Sequence, residues 1–392
     1  MKRFIAAGIL FYCGSFVSAA DPAVPAASPN PERQRAAELV RDLGDTRYKV
    51  RDNAARELKK LGRIAKIALT DGMKSGDPEI WNRCIQLLPE VMALDLKARV
   101  DAFLADTEGK HQHELPMMAT FRKVVGADAP ARKLYADIVR SNAPFLEACE
   151  LEPKRAGEKY NVRAFELQQQ LFGPFSGGSV RPQLTGADLA ALFLIGADPE
   201  MSKSIPDTNN NNHVANFLWQ QQFQNALKNG EQAPAYRKLF FAWAENRTDV
   251  NSLSQTISVI QNNNIKDGID FAVKAMKMKE KEIWFRAQAM VVVGKIGAKE
   301  HVAAFESMLD DKTQVTEIQW NNVQLKTQLR DIALAMSAQL SGQQAKDYGF
   351  DALQAQPTLI FAYHYLGFST DEKRVAANKK WDEWKAAENK KK

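Results

Sequence analysis

The sequence predicts an all-α fold assembled from repeated helical units, and three observations carry that prediction. Asp77, Ile80, Trp81, Arg83 and Cys84 recur as Glu280, Ile283, Trp284, Arg286 and Ala287, the same pattern written twice at an offset of 203 residues. Self-similarity of this kind marks a repeat architecture, in which each unit buries its apolar face against the next. Apolar residues return at helical spacing in segment after segment. No stretch shows sustained period-two alternation bounded by hairpin turns, and the β-branched run 291–293 lies inside a helical stripe.

The N-terminus carries Lys2 and Arg3, then a 14-residue apolar run over 4–17, then Ser18 and Ala19. Basic, apolar and small-residue regions in that order predict a signal peptide over 1–19. The run is short of the roughly 20 residues that span a bilayer, and no later stretch is long and charge-free enough to do so. Residues 20–34, with Pro22, Pro25, Pro29 and Pro31 among Ala and Ser, predict a disordered linker.

N-terminal helical repeats are expected over 35–172. Val50, Ala54, Leu58 and Leu61 share one helix face that closes at Gly62. Asp128 before Pro130 predicts a capped helix start, leading to Leu134, Ile138 and Val139 on one face. Residues 173–182 and 204–213 are loops by composition, the latter with four consecutive Asn. They enclose a helix near 187–196, so 173–213 is expected to be an excursion from the stack. A second set of repeats follows over 214–342. Tyr236, Leu239, Phe240 and Trp243 form one stripe there, and Phe285, Ala289, Val292, Val293 and Ile296 form another. Residues 343–392 are expected to be a capping segment with a basic tail.

Aligned on arginine, the copies run Arg51, Arg83, Arg286 and Arg330, with Asp45, Asp77, Glu280 and Gln324 six residues before each. This resembles the HEAT-repeat pattern, best over 35–100 and 265–342. The resemblance implies an irregular α-solenoid of helical hairpins, with acid and Arg forming a polar ladder between neighbouring repeats. The C-terminal segment is also similar to the end of uncharacterised exported bacterial HEAT-repeat proteins. Tyr348, Phe350, Phe368, Trp381 and Trp384 are expected to cap the last repeat, since a terminal unit must cover its apolar face.

The formal charge of +6 falls to +4 without Lys2 and Arg3. Eight Lys/Arg against five Asp/Glu over 371–392 account for +3 of that. The body is nearly neutral, which argues against a nucleic-acid partner. Cys84 and Cys149 are expected to be free, buried thiols. His111, His113 and Glu114 have metal-ligand side chains, but two histidines two apart on a helix point to different faces, and no further ligands are near in sequence. A solvated loop is therefore expected, with no metal, cofactor or catalytic residue assigned. Zinc-protease, phosphate-loop, serine-hydrolase and dinucleotide motifs do not occur. The expectation is an exported, periplasmic or extracellular scaffold that binds a protein partner. The alternatives are docking to anionic polymer or membrane through the basic tail, and a metal-dependent hydrolase.

Overall fold

The computed structural model of the protein describes residues 30–172, 184–206, 212–354 and 360–390. The expected signal peptide, residues 20–29 of the expected linker, the loop at 173–182 and the middle of the loop at 204–213 lie outside the described residues. The chain is mostly helical, with one two-stranded sheet among the described residues. It divides at Leu96/Lys97 into two compact units.

The first unit holds α1 (Pro31–Asp42), α2 (Tyr48–Leu61), α3 (Lys66–Gly72) and the first part of α4 (Pro78–Ala105). The first helix begins at Pro31, inside the 20–34 segment expected to be a linker. Asn30 caps it by accepting the Glu32 N–H at 2.9 Å, and Pro31 at the first helical position loses no intrahelical bond. Leu39, Val40, Ala54, Leu58, Leu69 and Val91 close one core around Cys84. Gly62 ends α2 at φ +58°, and a Cβ there would lie 2.6 Å from the Asp95 carboxylate, so only glycine fits.

The second unit runs through α5 (Met118–Val124), α6 (Ala129–Leu151), α7 (Ala156–Phe172), α8 (Gly186–Ala197) and the short α9 (Pro199–Ser202). It continues with α10 (Asn212–Phe217), α11 (Gln221–Lys228), α12 (Ala233–Glu245), α13 (Val250–Asn263), α14 (Ile269–Met276), α15 (Ile283–Ile296) and α16 (Val302–Glu306). A helix that is apolar all round belongs in a core, and α8 is one: every residue from Asp188 to Ala197 is buried. It packs against α6, α7, α11 and α12. The helix expected in an excursion is thus the hub of this unit, because nothing on its surface can face water.

The chain ends in a hairpin of β1 (Gln314–Trp320) and β2 (Val323–Gln328), then α17 (Leu329–Leu340) and α18 (Asp371–Asn389). The helical content bears out the expected all-α class, and the hairpin is a local departure from it among the described residues. The strands are antiparallel, with Glu317 opposite Lys326 and Trp320 opposite Val323. Asn321 and Asn322 both have positive φ, +48° and +63°, the conformation a two-residue hairpin turn requires. The hairpin corrects the fourth arginine-aligned copy. Gln324 lies within β2 and Arg330 in the first turn of α17, so no inter-helix turn separates them.

The basic tail is helical over most of its length and is tied down. Arg374 donates to both oxygens of Asp331, at 2.7 and 3.2 Å, and to the Lys326 carbonyl at 2.9 Å. Trp381 is buried beside Tyr348 and stacks on Trp384 with centroids 5.0 Å apart, while Phe350 stacks on Phe368 at 4.7 Å.

Candidate functional site

The repeated pattern of the sequence becomes two helix starts, those of α4 and α15. In each, the small residue one turn on, Cys84 or Ala287, is fully buried. The tryptophan is turned outward instead, Trp81 being 47% and Trp284 40% exposed. Water-exposed indoles at the same place in two copies are not explained by core packing.

The polar parts of the two starts differ. In the first, Asp77 Oδ1 accepts the N–H groups of Glu79 and Ile80, at 2.8 and 3.3 Å. Glu79 then takes Arg83 at 2.7 Å and Arg51 from the preceding helix pair at 3.3 Å. The cross-hairpin acid is therefore Glu79, not Asp77 or Asp45. Asp45 instead binds the Arg47 guanidinium, and Arg51 donates to the Asp45 carbonyl.

In the second start no side chain caps α15, whose N-cap is Glu282. Arg286 is buried, donating from Nε to the Met276 carbonyl at 3.2 Å and reaching Asp311 only at 3.5 Å. It floors a cleft of about 840 Å³ whose walls include Lys277, Lys279, Lys281 and Ile283. Composition alone hid this cleft, because its cations are spread among acids in sequence. The lysine run 277, 279, 281 just before the second tryptophan was the one available signal.

His111 and His113 lie in the loop after α4. His113 Nε2 sits 2.9 Å from Asp106 Oδ2, and both side chains are nearly buried. Asp106 also accepts the N–H groups of Lys110 and His111, at 3.0 and 2.9 Å. His113 thus staples the loop. Among the described residues no group of three or more His, Cys, Asp or Glu side chains is arranged to hold a metal ion. Cys84 and Cys149 are free and buried, and burial pushes the Cys149 thiol up to about 11.

The His111 and His113 contacts hold the Asp106 carboxyl well below the usual carboxylate range, and the Arg47 side chain holds Asp45 down to about 2. Depressed carboxyls stabilise the fold above the unfolded value, about 3.9, and lose that stabilisation as pH falls through the folded value. The turn at Asp45 is therefore expected to hold down to about pH 4 and to loosen as pH falls through about 2. Carboxyl carbon shifts followed by NMR check this, and an Asp45 midpoint at the ordinary value would contradict it.

A polar network also crosses the second unit. Arg163 Nη2 donates to Asn142 and Asp188, each at 3.0 Å. Asp188 in turn accepts the Thr185 N–H and hydroxyl at 3.0 and 2.6 Å, capping α8. Each member of this network has a structural partner. Compared with known proteins, the chain matches no family model, no curated protein and no solved structure.

Proposed function

We propose that this chain is an exported helical-repeat protein, a HEAT-like α-solenoid with a C-terminal cap, that acts as a scaffold binding another protein and carries out no catalysis. The observation that carries this reading is the pair of exposed tryptophans, Trp81 and Trp284, at matching positions of the repeated pattern in the first turns of α4 and α15. Tryptophan is the residue type most enriched where binding energy concentrates, and an indole left in water at a repeated position suits an anchor. The α2-to-α4 contact of Arg51 with Glu79 supports stacked hairpins, since a polar ladder of this kind joins one repeat to the next.

The tail reading has less support. Arg374 is buried, Lys373 pairs with Asp351, and Lys385 pairs with Glu306, so much of the positive charge is neutralised at the surface of the fold. The metal-hydrolase reading loses His113 to Asp106.

The test is crosslinking of residues 20–392 to envelope extract of the source organism, alongside the double variant Trp81→Ala/Trp284→Ala. A stoichiometric partner crosslinked near either indole, and weakened about thirtyfold or more in the double variant, is the expected result. Equal capture by the variant, or no stoichiometric partner, overturns the proposal.

A further inference from the structure

The cleft at the start of α15 has the chemistry of an anion seat. A helix leaves its first backbone N–H groups without intrahelical acceptors, and the aligned peptide dipoles make that end positive. In α4 the Asp77 carboxylate fills this role. In the sister helix Glu282 makes no side-chain cap bond, so the N–H groups of Ile283 and Trp284 have no side-chain acceptor.

Directly below lies Arg286, whose side chain is 7% exposed. Its Nε and Nη2 have acceptors, Met276 and Asp311, whereas Nη1 has none among the described residues. Lys277 and Lys279 line the same cleft and have no acidic partner among the described residues. Lys281 completes the wall, held by the Thr248 carbonyl at 2.5 Å. Two acids also line the cleft. Asp311 is engaged by Thr313 and Arg286, which leaves Asp310 as the one acid without a cationic partner. Four cations against two acids leave the cleft positive.

We propose that this cleft binds a phosphate group carried on a larger molecule. The cleft gathers the uncapped Ile283 end of α15, one guanidinium nitrogen of Arg286 and the ammonium groups of Lys277 and Lys279. That is more than the two oxygens of a carboxylate take up, and it suits the oxygens of a phosphate, for which helix N-termini and arginine forks are apt partners. A volume of about 840 Å³ leaves room for an organic body beside the phosphate group. This site stands whether or not Trp284 meets a protein.

The test is calorimetric titration of the full chain at low salt with inorganic phosphate, glycerol 3-phosphate and acetate. Flotation with vesicles of phosphatidylglycerol or of phosphatidylcholine accompanies it. Saturable binding of glycerol 3-phosphate, tighter than acetate, is expected, and Lys277→Ala/Lys279→Ala should weaken it by about tenfold or more with an unchanged melting midpoint. The pair Lys49→Ala/Lys66→Ala, in the first unit, should leave it unchanged. Flotation with phosphatidylglycerol that depends on Lys277 and Lys279 identifies a lipid headgroup as the source. Binding of glycerol 3-phosphate without flotation identifies a soluble phosphoester. Absence of saturable binding, acetate binding as tightly as phosphate, or equal weakening by the Lys49/Lys66 pair overturns the proposal.

Discussion

Replacing Arg374 by methionine is expected to destabilise the second unit by about 3–5 kcal/mol, the usual cost of removing one partner from a buried ion pair. The Arg374 and Asp331 side chains are 4% and 0% exposed. Without the guanidinium, Asp331 keeps the Gln328 N–H, at 2.8 Å, and the weaker field of Arg330, and its buried charge loses its hydrogen-bonded cation. Burial already pushes its carboxyl up, with Arg374 pulling the other way. In the variant that pull is gone, so the folded-state carboxyl rises further and takes up a proton as pH falls. The destabilisation should therefore be largest near neutral pH and shrink in acid. The companion variant Arg374→Met/Asp331→Leu removes both charges and should recover most of the loss. Urea unfolding of the three proteins at two pH values checks this, and a single-variant loss under about 1 kcal/mol would show that the pair holds little together.

The second large effect is expected at Phe193. It lies on α8 with no exposed surface, and four rings surround it: Phe223 at 5.8 Å, Tyr236 at 6.1 Å, Phe240 at 5.5 Å and Trp243 at 5.2 Å between centroids. Phe193→Ala should cost about 3–5 kcal/mol, from lost burial plus a cavity that close-packed rings cannot collapse to fill. Near-ultraviolet dichroism should fall with it, since those rings owe their fixed orientation to this contact. Trp284→Ala, at an exposed position, should change stability by no more than about 0.5 kcal/mol. Finding the two equal would mean that α8 is not the hub its burial indicates.

Much of the helical framework was legible in the sequence. The stripes through Ala54 and Leu58, through Leu134 and Ile138, through Leu239 and Trp243, and through Ala289 and Val292 all became buried helix faces. The aromatic residues Tyr348, Phe350, Phe368 and Trp381 are buried as well. The hairpin was not legible from hydrophobic period, because along β1 every residue is exposed or only half-buried. Its readable signal was the Asn321-Asn322 pair, which tolerates left-handed backbone. The place of α8 was hidden for the opposite reason: a helix apolar on every side shows no moment to say which way it faces. The repeated tryptophans were visible as a pattern, but only the fold shows that they point outward. The phosphate cleft needs residues from two separate turns, and Asp311 lies 25 positions from Arg286.

The Arg374 contact also sets an order of events in time. A chain made from its N-terminus completes Asp331 well before Arg374, 43 positions later. At synthesis rates of about 5–20 residues per second, that interval is roughly 2–9 seconds. Throughout it the Asp331 carboxylate lacks its hydrogen-bonded cation and has the weaker field of Arg330 to offset burial, so closing α17 over it is less favourable. The Lys326 carbonyl and the bridge from Lys326 to Phe368 wait on the same arrival. The hairpin and α17 are therefore the late-folding part of this unit, and a nascent chain stopped short of Arg374 would present them to chaperones and proteases still open.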